Sequence, residues 1–380
     1  MAKAQLNNRY QVYVNLAEIF YQKGVRYAIL SPGSRSAALA LVFLRHPGVT
    51  CYVIPDERSA GFQALGIAKA LSQPVIMICT SGTATVNYAP AIAEAFWQGV
   101  PLIALTADRP PEWINRGENQ TIYQQGIYGN NLKAAFNLPV DFAHADAEWM
   151  AYCQVNDALN TAKSASKGPV HVNAPVREPF YPSEALPEAS ENLPLYEPLK
   201  VHGQLNDVTH AGISGSIKRS EKLLVLAGQQ PIGGHANFDV QDFVMRSRAV
   251  LLNDPVANYH EVPDAIAHGD LIAQKALAEN NSDLTPDILI TFGGSIVSKA
   301  LKQYFRKFPP SEHWHISPAG EAMDTFQALT KIIPQDPGVF FRELGSKFWP
   351  KSDREYQDYW VNLDNMVQNH LSEKLQAGDQ

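Results

Sequence analysis

In the first third of the chain, apolar runs of strand length end in short polar clusters, and stretches of helical period follow them. The runs predict strands over Arg26–Leu30, Thr50–Ile54, Pro74–Cys79 and Pro101–Leu105, with helices over Ser36–Arg45, Ser59–Leu71 and Ala84–Gln98 between them. An amphipathic helix carrying Tyr10, Val14, Ala17, Ile19 and Phe20 precedes them and ends at Gly24. A loop over Asn115–Asn131, a helix over about Asp146–Ser164 and a strand over Gly168–Val172 complete this half. The alternation of strand and helix predicts an α/β protein with a doubly wound parallel sheet and helices on both faces. From Pro175 to Pro198 the chain carries six prolines and several glutamates, which reads as an interdomain linker. A second αβ pattern follows, with strands at Lys222–Leu226, Ala249–Leu252, Asp287–Thr291 and Trp314–Ile316, and helices at Val208–Arg219, Phe238–Arg246 and Ile296–Phe308. A last amphipathic helix spans about Asp353–Leu375. The expected organisation is therefore a first domain at 1–180, a linker at 181–205, a second parallel-sheet domain at 206–350 and a closing helix at 351–380.

The clusters carry the chemistry, because open parallel sheets bind ligands beyond the carboxyl ends of their strands. Ser31-Pro32-Gly33-Ser34-Arg35-Ser36 combines a tight turn, a helix N-terminus that Ser34 or Ser36 can cap and a planar guanidinium, which together suit an anion. A capped turn with a solvated arginine is the alternative. Asp56-Glu57-Arg58 follows an apolar strand and opens a helix rich in Gly and Ala that must pack closely. Glu57 is thus expected to be buried and to serve as an acid/base, against the plainer reading of a surface ion pair. Thr80-Ser81-Gly82-Thr83 offers hydroxyls and a glycine where a flat ligand can approach the backbone. Asp108-Arg109-Pro110-Pro111 brings a second guanidinium, and Asn119 and Gln120 bring amides.

Charge and composition narrow the classes. A net charge of −7 without a basic stripe argues against nucleic acid, and no apolar run has the roughly 20 residues that span a bilayer. Three scattered cysteines, two of them inside strand-like runs, read as reduced thiols, so the cytoplasm is the expected compartment. No dinucleotide fingerprint, phosphate-binding loop or nucleophile elbow occurs. His313 and His315 share a strand face but have no third ligand at fitting spacing.

At these clusters the sequence resembles the thiamine-diphosphate enzymes, and within them the carboligases of menaquinone biosynthesis. The strings are Ser-Pro-Gly-Ser-Arg-Ser (31–36), Asp-Glu-Arg (56–58) with Ala-Leu-Gly-Ile-Ala-Lys (64–69), Thr-Ser-Gly-Thr-Ala (80–84), Leu-Thr-Ala-Asp-Arg-Pro-Pro-Glu (105–112) and Asn-Gln (119–120). The resemblance implies that Glu57 hydrogen-bonds the cofactor's aminopyrimidine, with Ser81, Gly82 and Thr83 beside it. It implies decarboxylation of 2-oxoglutarate and addition of the four-carbon acyl anion equivalent to isochorismate. It assigns Ser34, Arg35, Arg109, Asn119, Gln120 and Lys299 to substrate, although Ala300 stands where family members carry an arginine. Two guanidiniums suit the dicarboxylate isochorismate. A relative of acetolactate synthase, using the monocarboxylate pyruvate, or a binding module without turnover are the rival readings. The family's Mg2+ (or Mn2+) and diphosphate site, marked by Gly-Asp-Gly and a later Asn, has no counterpart here, so no metal ligand is assigned. The expectation is a chain lacking that third domain and inactive alone. A homodimer or homotetramer is expected of the complete protein, with an apolar dimer face left exposed in this chain.

Overall fold

The computed structural model describes residues 2–178, 180–182, 185–199, 205–230, 237–345 and 354–378. The chain divides into two compact units, Met1–Leu199 and Lys200–Gln380.

The first unit runs α1 (Ala2–Gln22), β1 (Tyr27–Leu30), α2 (Ala37–Leu44), β2 (Thr50–Val53), α3 (Glu57–Leu71), β3 (Val75–Cys79), α4 (Thr83–Asn87), α5 (Ala89–Gln98), β4 (Leu102–Asp108), β5 (Ala134–Asn137), α6 (Ala145–Ala162) and β6 (Val170–Pro175). Its six strands are all parallel, in the order β2-β1-β3-β4-β6-β5. Strands covered on both faces must be apolar throughout, and Val75-Ile76-Met77-Ile78-Cys79 is buried at every position. Alternate side chains then serve opposite layers. Ile76 and Ile78 join Leu16, Phe20, Phe43 and Val155, while Val75, Met77 and Cys79 join Ala60, Ala64, Tyr88 and Ile92. Burial pushes the Cys79 thiol up to about 12, so it packs as a small apolar group.

The Pro-rich segment is a strap laid on this unit. Asn15 exchanges hydrogen bonds with Ser190, the Lys23 ammonium donates to the Tyr196 carbonyl (2.6 Å), and the Asn156 amide donates to the Pro194 carbonyl (2.9 Å). Phe180, Leu186 and Leu193 pack on the core beneath. Prolines keep the segment free of sheet, and its Glu188, Pro194 and Tyr196 carbonyls accept from polar side chains of α1 and α6. Residues 183, 184 and 200–204 of the expected linker, and Asp353 at the start of the expected closing helix, lie outside the described residues.

The second unit runs α7 (Asp207–Arg219), β7 (Leu223–Ala227), α8 (Asn237–Ser247), β8 (Val250–Asn253), α9 (Gly269–Glu279), β9 (Ile288–Phe292), α10 (Lys299–Lys307), β10 (Glu312–Ile316), β11 (Leu329–Ile333), α11 (Pro337–Gly345) and α12 (Glu355–Gly378). Its sheet, β11-β10-β9-β7-β8, is also parallel throughout. Helices cover both faces. Phe243, Phe340 and Phe341 lie in one core layer, and Ile272, Tyr304, Phe305 and Trp360 lie in the other. The expected helix over Ile296–Phe308 starts at Lys299, where the Ser298 hydroxyl accepts from Leu301 N (3.2 Å). The expected helix over Ala84–Gln98 is broken at Tyr88, with Pro90 in the first turn of α5. No helix of the described residues is long and apolar enough to cross a membrane.

Candidate active site

Strand order reverses at β1, whose neighbours are β2 on one side and β3 on the other. Such a switch point opens a crevice between the loops leaving the two central strands. A cavity of about 290 Å³ lies there, lined by Pro32, Gly33, Ser34, Glu57, Thr80, Thr83, Ala84, Asn87 and Gln120. Loops leaving β1, β2 and β3 and the long loop after β4 all contribute. Gly33 lets the first and third meet, since a Cβ there would lie 2.4 Å from the Thr80 Cβ.

Glu57 is the first residue of α3, and it is half-buried rather than fully buried as expected from the sequence. The helix is capped by its neighbour, the Asp56 carboxylate accepting from Ser59 N (3.1 Å), which leaves the Glu57 carboxyl free to face the cavity. Hydrogen bonds from the Ser59 hydroxyl and backbone N–H hold the Asp56 carboxyl below the usual carboxylate range. On α2, Ser36 occupies the cap position without capping. Its hydroxyl donates to the Gly33 carbonyl (3.1 Å) and tightens the turn instead.

Of the residues singled out in the sequence, Ser34, Glu57, Thr83 and Gln120 line the cavity. Ser81 and Gly82 are buried just behind its wall. Neither arginine is among the lining residues. The Arg35 guanidinium, 6% exposed, donates to the Val176 carbonyl (2.6 Å) and stacks 4.7 Å from the Phe180 ring centroid. Burial and then Arg109 draw its pKa down. Arg109 sends Nε (3.1 Å) and Nη2 (2.7 Å) to the Asn119 carbonyl and pairs with Glu118 (3.3 Å), so it braces the loop that carries Gln120. Asn119 is exposed, and Lys299 is exposed in the second unit at the start of α10.

Asn87 was missed in the sequence. It stands four residues after Thr83, one turn along α4, and its amide donates to the Thr83 carbonyl (3.1 Å). Helical spacing from Thr83 was the available signal.

Behind the cavity, the strand ends are tied by a buried polar network. The Gln124 amide donates to Asn173 Oδ1 (2.9 Å), the Ala107 carbonyl (3.1 Å) and Thr106 Oγ1 (3.3 Å), while its Oε1 accepts from Gly82 N (2.9 Å). Asn173 in turn donates to Asp108 Oδ2 (2.9 Å), and burial raises the Asp108 pKa against that bond. Thr106 Oγ1 also meets His171 Nε2 at 2.8 Å. His171 is buried against the Tyr128 ring (4.9 Å between centroids), and its Nδ1 has no partner among the described residues.

Burial pushes the His171 imidazole down from 6.5 to about 4, so the unfolded chain takes up its proton first as pH falls. This neutral histidine therefore contributes its full stability above pH 6.5 and loses it towards pH 4, about 3 kcal/mol in all. Urea unfolding between pH 7 and 4.5 is expected to show that loss, reduced in His171→Gln. An equally steep fall in the variant would assign the acid sensitivity elsewhere.

The second unit holds a similar buried pair. His313 Nε2 (2.8 Å) and His315 Nδ1 (2.9 Å) share the Thr291 hydroxyl. Among the described residues no three His, Cys, Asp or Glu side chains are grouped to hold a metal ion.

Both units of the chain have counterparts among known proteins. Residues 12–127 match the N-terminal TPP binding domain of thiamine pyrophosphate enzymes, and residues 221–378 match the middle domain of thiamine pyrophosphate enzymes. The chain belongs to the thiamine pyrophosphate enzymes. Within that class its relatives are named 2-succinyl-5-enolpyruvyl-6-hydroxy-3-cyclohexene-1-carboxylate synthase. The protein of that name from Cytophaga hutchinsonii is 39% identical over 324 residues, covering 85% of this chain and 57% of the relative. That from Porphyromonas gingivalis is 36% identical over 337 residues (89% and 58%), and that from Bacteroides thetaiotaomicron 34% over 359 residues (92% and 62%). The chain thus spans about three-fifths of the length of the curated relatives it matches.

Proposed function

We propose that this chain supplies the pyrimidine-binding half of a thiamine-diphosphate-dependent transferase that decarboxylates 2-oxoglutarate and adds the four-carbon product to isochorismate. The observation that carries the reading is Glu57, set at the head of α3 on a cavity shared with Ser34, Thr83 and Gln120. One carboxyl among hydroxyls and amides, beside a glycine backbone, fits a flat aminopyrimidine. No grouping of described residues fits the metal-bound diphosphate. That end, with Mg2+ or Mn2+, is assigned to a diphosphate-binding domain reaching the same crevice.

When bound, thiamine diphosphate supplies a thiazolium able to stabilise carbanion character at the reacting carbon. Glu57 holds a proton against the pyrimidine ring nitrogen. Thr83 presents its hydroxyl to the ring, and Ser81 and Gly82, assigned to the same cofactor, back it from behind the wall. Ser34 Oγ and the Gln120 amide bind the acceptor. Asn119 and Lys299 are assigned as further contacts. Arg35 and Arg109 add positive potential behind the wall, which favours a dicarboxylate over a monocarboxylate. Tyr52, Val53, Phe62, Val86 and Trp97, on β2, α3, α4 and α5, are exposed, and we assign them to contact with a second subunit.

The test is turnover. The chain is incubated with thiamine diphosphate, Mg2+, 2-oxoglutarate and isochorismate, with and without a separately expressed diphosphate-binding domain of a relative. Release of CO2 and formation of adduct only in the supplemented mixture is the expected result. Supplemented turnover of pyruvate in preference to 2-oxoglutarate would overturn the substrate assignment.

A further inference from the structure

Gln120, which lines the cavity, has φ +51, and Gly82, which abuts it, has φ +84. A left-handed glutamine is a conformation the surrounding structure must impose. Two contacts impose it. Arg109 grips the Asn119 carbonyl, and Gln124 holds Gly82 from below. Gln124 belongs to the same loop as Gln120, yet its side chain is 1% exposed and reaches across the ends of β4 and β6 as well as to Gly82. One amide therefore joins the loop that carries Gln120, the turn that carries Gly82 and two strand ends.

We propose that Gln124 is a positioning residue that fixes Gln120 at the cavity against Gly82 behind its wall and so sets acceptor binding. The role in acceptor binding rests on the function proposed above, whereas the clamp itself does not. Gln124→Met keeps the side chain's length and removes all four hydrogen bonds. Gln124→Asn, one methylene shorter, cannot span from Gly82 N to Asn173 at once, and it replaces the first variant should that fail to fold.

Amide hydrogen exchange on the whole chain tests the clamp without turnover. The Gly82 amide is expected to exchange about tenfold or more faster, while the amides of β3 keep wild-type rates. Unchanged exchange at Gly82 in a folded variant would overturn the proposal. In the supplemented enzyme, the KM for isochorismate is expected to rise about tenfold and that for 2-oxoglutarate less than about threefold, a split that general loosening would not produce. Parallel rises in both would overturn the positioning role. A silent wild-type mixture with fast Gly82 exchange in the variant would instead sink the proposed reaction and leave the clamp standing.

Discussion

Glu57→Gln in the supplemented enzyme is expected to lower kcat by roughly 10²–10⁴-fold, the usual worth of a positioned acid or base. The amide has the carboxyl's shape and still hydrogen-bonds a ring nitrogen, but it cannot exchange a proton with it. Binding of thiamine diphosphate should therefore weaken far less than turnover. Position makes the effect specific. Asp56 satisfies the first turn of α3 by accepting from Ser59 N, so Glu57 is not needed as a cap. The substitution should consequently leave the melting temperature within about 2 °C, since surface changes away from caps and cores cost little. Steady-state kinetics with titration calorimetry decide the matter. A kcat within a few-fold of wild type would remove Glu57 from the chemistry, and loss of cofactor binding equal to the loss of kcat would make it a binding residue only.

The fold is legible in the sequence wherever burial on both faces forces a strand to be apolar throughout. Val75–Cys79 and Leu223–Ala227 are such strands, and each is buried at every residue. Elements at the margins obey weaker rules. Ala134–Asn137 and Leu329–Ile333 are edge strands with half-buried or exposed positions, and Lys331 in the latter pairs with Glu312, so no continuous apolar run announces them. The helix Gly269–Glu279 begins on a Gly-Asp pair that reads as a turn, although its four buried residues, Gly269, Ile272, Ala273 and Ala276, lie at helical spacing. The strap at 185–199 follows a similar logic. Its prolines announce an extended chain, but what it lies on depends on Asn15, Lys23 and Asn156, far away in sequence.

The candidate site was legible as clusters, because a parallel sheet brings its strand ends together whatever the sequence between them. The tasks of the arginines were not. Arg35 is bound by the carbonyl of Val176, 141 positions away, and Arg109 by the carbonyl of Asn119, and backbone acceptors leave no trace in residue identity. Gln124 was hidden for a related reason. A glutamine in a polar loop looks solvated until the loop folds over it.

Gly82→Ala should be strongly damaging, because two independent costs fall on one methyl group. Gly82 sits at φ +84, where an alanine is strained, by about 1–3 kcal/mol for a sparsely populated backbone region. Its Cβ would also lie 3.1 Å from the Gln120 carbonyl oxygen and 3.2 Å from the Gln120 carbonyl carbon and Cα. These are backbone atoms, so no rotamer change relieves the contact. Only a shift of the Gln120 loop does so, and that loop is braced by Arg109 and by Gln124. The loop thus either resists, and the unit is destabilised, or moves, and Gln120 leaves the cavity. Urea unfolding of the chain separates these outcomes from a neutral change: stability falls by about 1–3 kcal/mol, or it holds while the acceptor KM rises by about tenfold or more. The same substitution with neither effect would show that the turn after β3 has room the close approach of Gly82 and Gln120 denies, and the clamp would lose its main structural support.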